Sequence, residues 1–192
     1  NMLSDLIISK TRVKLLNLYL TNHGKIYHVR ELVRQINEEI NAVRRELSHL
    51  EKHGLLSKEF RGNRLYYELR RDYPLYYDLL KLIAKTTGLG GDILKNRIKL
   101  GKIKFAMLSG RFIRGIKGEP DDVDLLVVGT VVLPELAALV RNEEAKRGTE
   151  LNYTVMTSEE FEFRKKRHDP FIQKILAGSR LMIIGDEEEL LK

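Results

Sequence analysis

The 192-residue chain predicts an α+β protein built in two parts, residues 1–87 and 88–192. Three observations carry that expectation. Before Thr87, apolar residues recur at helical spacing in successive stretches that lead into two alternating strands. After it, strand-like and helix-like segments take turns. The charge is divided at the same place: residues 1–87 hold 16 Lys and Arg against 10 Asp and Glu, whereas 88–192 hold 18 against 17. The net charge of +7 therefore lies almost wholly in the first part, for which a polyanion is the natural partner and a solubilising surface the alternative.

Residues 10–22 place Val13, Leu16, Tyr19 and Leu20 on one helical stripe, ended by His23-Gly24. "KIYHV" is a short extended piece. "VRELVRQI" then sets Val29, Leu32, Val33 and Ile36 at helical spacing up to a break at Asn37. A further stripe of Ile40, Val43, Leu47 and Leu50 stops at Gly54, a residue suited to the end of a helix. "LLSKEFRGNRLYYELR" reads as two strands about a Gly62-Asn63 turn, with Arg61 and Arg64 at the tip. Helix, turn, helix and basic hairpin is the order of a winged helix-turn-helix. If the stripe of the third helix faces inward, Asn41, Arg44, Arg45 and Ser48 lie on its outer side, a set able to meet phosphates and base edges.

"INAVRRELSHLEKHGLLSKEFRGNRLYYEL" resembles the bacterial and archaeal winged-helix regulators, including the ArsR-like group, over roughly residues 10 to 70. The resemblance implies a transcriptional regulator that binds double-stranded DNA. Asn41, Arg44, Arg45 and Ser48 would act from the recognition helix, and Arg61, Asn63 and Arg64 from the wing. A homodimer is expected, because one winged helix reads only a short half-site. His49 and His53 stand i,i+4 but lack an evident third metal ligand. "DYPLYYDLLKLIAKT" predicts a helix opened by Pro74 with Leu75, Leu79, Leu82 and Ile83 along one side. Tyr73, Tyr76 and Tyr77 at its start suit either a dimer contact or a cover for the wing.

"TTGLGGD" reads as the linker, being rich in glycine where the basic bias ends. Beyond it the pattern predicts a helix from Asp92 to about Leu100, a strand over "KIKFAML", a buried strand at Leu125–Val128 and a helix from Pro134 to about Lys146. A strand over "ELNYTVMT", a helix with Ser158 as N-cap, a last strand over "SRLMIIG" and the acidic tail "DEEELLK" complete the chain. Asp122 and Asp124, one residue apart at the mouth of an apolar run, would point the same way in an extended strand. Two converging carboxylates call for a cation.

"LSGRFIRG" at Leu108–Gly115, followed by Asp122-Val123-Asp124, resembles the G-[GS]…D-x-[DE] signature of the polymerase beta nucleotidyltransferase superfamily, most closely its minimal members. The segment "ELNYTVMTSEEF…DPFIQKILAG…LMIIGDEEEL" is similar to nucleotidyltransferase-like domains fused behind winged helices in prokaryotic regulators. The likeness extends from about 92 to 192. It implies a small mixed-sheet domain in which Ser109, Gly110 and Arg111 meet the phosphates of ATP or another nucleotide. Asp122 and Asp124 would bind Mg²⁺ and, in an active enzyme, take part in catalysis. Two departures weigh against activity. The glycine-serine pair is reversed as Ser109-Gly110, and the third carboxylate aligns with Asn152. Glu150, two residues earlier, is the one substitute at hand, and a remnant pair held by Arg111 or Arg114 is the alternative to metal binding.

The sequence thus favours a DNA-binding transcriptional regulator with an inactive, nucleotide-sensing second domain. The alternative is an active Mg²⁺-dependent nucleotidyltransferase that passes NMP to protein or RNA, as an autoregulating antitoxin. A third reading makes both halves protein-interaction modules. With no cysteine and no apolar run of membrane-spanning length, the expected location is the cytoplasm, without a membrane partner.

Overall fold

The computed structural model describes residues 7–192. The chain divides into two compact units, one ending at Thr86 and the other running from Thr87 to Lys192.

In the first unit, helix α1 (Lys10–Thr21) is capped by Ser9, whose hydroxyl accepts from the Arg12 N–H. Strand β1 (Ile26–His28) leads into α2 (Val29–Ile36), which ends at Asn37 in the left-handed region with φ 49°. Helix α3 (Ile40–Lys52) starts on Glu39, whose carboxylate accepts from the Asn41 and Ala42 N–H groups at 2.9 and 3.0 Å. Strands β2 (Leu56–Arg61) and β3 (Arg64–Leu69) form a hairpin closed by the Arg61–Arg64 pair. Gly62, with φ 60°, occupies the first central position of that turn, where a side chain would be strained. The antiparallel sheet has the order β1-β3-β2. Three helices and a sheet ending in a hairpin make a winged helix.

The stripes predicted from periodicity are the buried faces except at Val29, Val33 and Ile40, which are half-buried. Val13, Leu16, Tyr19 and Leu20 of α1 and Val43, Leu47 and Leu50 of α3 form the core, with Leu15 added. Tyr19 reaches across it and donates to the Tyr67 carbonyl at 3.0 Å. The helix after the hairpin departs from expectation. Helix α4 (Tyr76–Thr86) begins after Pro74, which lies in the preceding turn. Its buried residues are Tyr76, Leu80, Ile83 and Thr86, while Leu75 is exposed and Leu79 and Leu82 are half-buried. Leu75 precedes the first helical turn and so never joins the stripe, whose phase is set by the ring of Tyr76.

The second unit opens with α5 (Gly88–Lys95), so the expected linker is a helix instead. Gly90 and Gly91 are buried, and α5 packs on α7 (Leu133–Arg147). Strand β4 (Gly101–Ser109) runs into the one-turn helix α6 (Gly110–Ile113), and β5 (Leu125–Val131) precedes α7. Then come β6 (Tyr153–Met156), α8 (Ser158–Lys166), α9 (Pro170–Ala177), β7 (Arg180–Ile184) and α10 (Glu187–Leu191).

The sheet order is β6-β5-β4-β7, with β5 and β6 parallel and the other pairs antiparallel, so the sheet is mixed. Its core gathers Phe105, Met107, Leu126, Val128, Met156, Phe161, Ile172, Ile175 and Leu190. The N-cap of α8 is Thr157, not Ser158; its hydroxyl accepts from the Glu160 N–H at 3.1 Å. That shift by one residue restores the T-x-x-E spacing of a capping box. The acidic tail is itself helical from Glu187, started by Asp186, because Leu190 is fully buried in the core.

Candidate nucleic-acid interface and the carboxylate cluster

On α3, Val43, Leu47 and Leu50 face inward, so the 3.6-residue repeat turns Asn41, Arg44, Arg45 and Ser48 outward, and all four are exposed. At the hairpin tip Arg61, Asn63 and Arg64 are exposed as well. Their electrostatic states differ. Arg61 is paired with Glu59 and lies 5.6 Å from the centre of the Tyr66 ring. Elsewhere in the unit Arg12 pairs with Glu46, Lys14 with Glu38 and Lys58 with Glu51. Arg44, Arg45 and Arg64 take part in no ion pair among the described residues. The His49 and His53 rings lie 4.5 Å apart. No group of three metal-ligating side chains exists among the described residues.

In the second unit, the residues singled out around the small pair and the aspartates gather at one end of β4. The Ser109 N–H donates to the Asp124 carbonyl at 2.9 Å, and the Ser109 hydroxyl caps α6 by accepting from the Phe112 N–H at 3.1 Å. The Gly110 N–H donates to the Ser179 carbonyl at 2.7 Å. A methyl group at position 110 would stand 1.9 Å from Ser179 Oγ, so packing requires the glycine.

The aspartates do not share a strand face as expected. Strand β5 begins only at Leu125, so both carboxylates sit on the turn before it, where strand alternation does not orient them. Asp122 is held by cations: Lys174 Nζ lies 2.9 Å from Oδ1, while Oδ2 takes Arg111 and the Glu119 N–H, the latter at 2.9 Å. The hydrogen bond from Lys174, then that from Glu119, lowers its pKa to about 2. Burial pushes the half-buried Asp124 carboxyl the other way, against the Asn152 N–H that donates to its Oδ2 at 3.0 Å.

Asn152 fastens the same turn twice more. Its carbonyl accepts from the Asp124 N–H at 2.7 Å, and its amide donates to the Pro120 carbonyl at 2.5 Å. Glu150 is exposed and lies before β6, which starts at Tyr153; it does not share a strand face with Asn152. This arrangement does not fit Mg²⁺, a hard cation that needs several free oxygen donors. Both oxygens of Asp122 are engaged by cationic donors, Asp124 is bonded to backbone, and Asn152 is committed to its own turn. Sequence reasoning missed Lys174 and Ser179, which belong to no motif and reach the cluster only through the packing of α9 and the start of β7.

No family model and no curated protein matches the chain. Among solved structures it is similar to reduced HlyU from Vibrio cholerae N16961, at 19% identity and a TM-score of 0.35, over 43% of this chain and 82% of that one. Among the described residues no helix is long and apolar enough to cross a membrane.

Proposed function

We infer that the chain is a DNA-binding transcriptional regulator that grips duplex DNA through α3 and the β2–β3 wing of its first unit. One observation carries the reading: Arg44 and Arg45 stand on the exposed face of α3 outside any ion pair among the described residues, whereas Arg12, Lys14, Lys58 and Arg61 are paired within the unit. Unpaired arginines in that position can displace counterions from phosphates and reach base edges, with Asn41, Ser48, Asn63 and Arg64 adding polar contacts. The regulator acts as a homodimer, one winged helix per half-site.

The second unit is read as a nucleotidyltransferase-like domain without catalysis. Supporting this are the engaged oxygens of Asp122, the amide of Asn152 and the exposed, off-strand Glu150. A nucleotide such as ATP would bind there through Arg111, drawn away from Asp122, and the Ser109 hydroxyl, with Gly110 contributing only if its N–H leaves the Ser179 carbonyl.

The decisive test is a titration of duplex DNA at several salt concentrations. Arg44→Ala and Arg45→Ala should each weaken binding and reduce the salt slope by about 1. Unchanged affinity and slope in both variants would remove the DNA-binding reading. Incubation with labelled ATP, Mg²⁺ and candidate protein or RNA acceptors should transfer no label; transfer above background would restore the catalytic alternative.

A further inference from the structure

Phe60 is the largest apolar side chain left in water by the first unit's hairpin, at 76% exposure. Its direction is set by the strand. Leu56, Lys58 and Phe60 share one face of β2, opposite Leu69, Tyr67 and Leu65 of β3. Leu56 and Tyr67 are buried against the helices, and Lys58 reaches Glu51 of α3 at 3.2 Å. The core-facing row of the hairpin thus continues past the helical body, and its last pair, Phe60 with Leu65, overhangs on the side that looks toward α3. Around it the tip is cationic and polar: Arg61, Asn63 and Arg64 are exposed, and Arg64 takes part in no ion pair among the described residues.

We propose that Phe60 is an apolar wedge that the wing inserts into the minor groove of duplex DNA, unstacking a base step and bending the duplex. The inference rests on the DNA-binding reading above and adds a second mode of contact to it. Arginine and asparagine beside a projecting aromatic ring are the composition of side chains that enter the minor groove and part its base steps. A cationic rim draws the tip to phosphates, and the ring gains burial only once it is between bases. Flexible pyrimidine–purine steps cost least to open, so the wedge selects them at a position where no base edge is read.

The test uses the full chain and a duplex that the wild-type chain enriches from a random-sequence pool, labelled at both ends to report bending by energy transfer. Phe60→Ala should lose the bend and bind about tenfold more weakly. Phe60→Leu should keep most of both, and Arg44→Ala should weaken binding while the residual complex stays bent. Equal bending and affinity in wild type and Phe60→Ala would overturn the wedge and leave the DNA-binding reading standing. If the wild-type chain enriches no duplex at low salt, both fall together. A change in the sedimentation of the free chain on Phe60→Ala would place the ring in a contact between copies, and that result too overturns the proposal.

Discussion

Lys174 Nζ lies 2.9 Å from Asp122 Oδ1, and Arg111 holds the other oxygen of the same carboxylate. Asp122 thereby ties α9 and α6 to the turn before β5. The interaction lowers the Asp122 pKa to about 2, below its ordinary value of 3.8. Stabilisation from a depressed carboxylate is complete above the unfolded pKa and is lost as pH falls through the folded one. Asp122→Asn and Lys174→Met should each lower Tm by a few degrees at neutral pH. The gap between wild type and Asp122→Asn should then narrow steadily from about pH 4 toward pH 2, as thermal melts across that range would show.

Asp124 predicts the opposite sign. Burial raises its pKa, so the ionised form carries a cost that appears as pH rises through the unfolded and then the folded value. Asp124→Asn removes that charge and keeps an oxygen to accept from the Asn152 N–H. At neutral pH the variant should melt at or above the wild-type temperature, and the advantage should vanish in acid. A carboxylate maintained for structural pairing would instead lose stability on the same change, as is expected of Asp122.

Gly110 and Ser179 form a close contact that a double substitution can measure. A methyl group at position 110 would stand 1.9 Å from Ser179 Oγ, 2.9 Å from its Cβ and 3.2 Å from its carbonyl oxygen. Gly110→Ala should cost about 1–3 kcal/mol by overpacking. Ser179→Gly in the same chain removes the two nearest atoms and should recover part of that loss, leaving the strain against the backbone oxygen. Urea unfolding of the four chains of the cycle gives the coupling directly.

Much of the first unit is legible in its sequence because its helices are amphipathic: the stripes of α1 and α3 coincide with the buried faces, and Gly62-Asn63 marks the hairpin turn. The second unit hides more. Helix α10 spans 5 residues, too few for periodicity to show, and the pattern does not predict α9, although it is as long as α2 and Asp169-Pro170 stands at its start. The glycines of α5 mimic a linker because glycine-rich composition marks a break in regular structure, yet here the segment is helical. The partners of Asp122 were half visible: Arg111 sits beside the small pair, whereas Lys174 reaches it only through tertiary packing.

The tail illustrates the point and can be tested. Read as charge alone, "DEEELLK" is solvated, yet Leu190 is fully buried and Leu191 is 48% exposed. Leu190→Ala should therefore destabilise the chain by about 2 kcal/mol or more. Leu191→Ala should stay within about 0.5 kcal/mol of wild type. Equal small effects in urea unfolding would mean that α10 contributes nothing to the core.

Helix α3 is held in place from the start of α1. Ser9 Oγ donates to Glu46 Oε1 at 2.6 Å and Arg12 Nε to Oε2 at 2.8 Å, so the start of α1 grips the middle of α3 beside Arg45. Burial pushes the Glu46 carboxyl up, but the hydrogen bonds from Ser9 and Arg12 outweigh it and hold the pKa below its ordinary value of 4.5. Its stabilisation is thus complete above that value and lost as pH falls through the lowered one. Glu46→Gln should lower Tm at pH 7 and approach wild type as pH falls below the ordinary carboxylate value of 4.5. Because the loss loosens α3 without removing a DNA contact, the variant should bind duplex more weakly while keeping the wild-type salt slope, unlike Arg45→Ala. A salt slope reduced by Glu46→Gln would show that Glu46 acts on the cations themselves rather than on the placement of the helix.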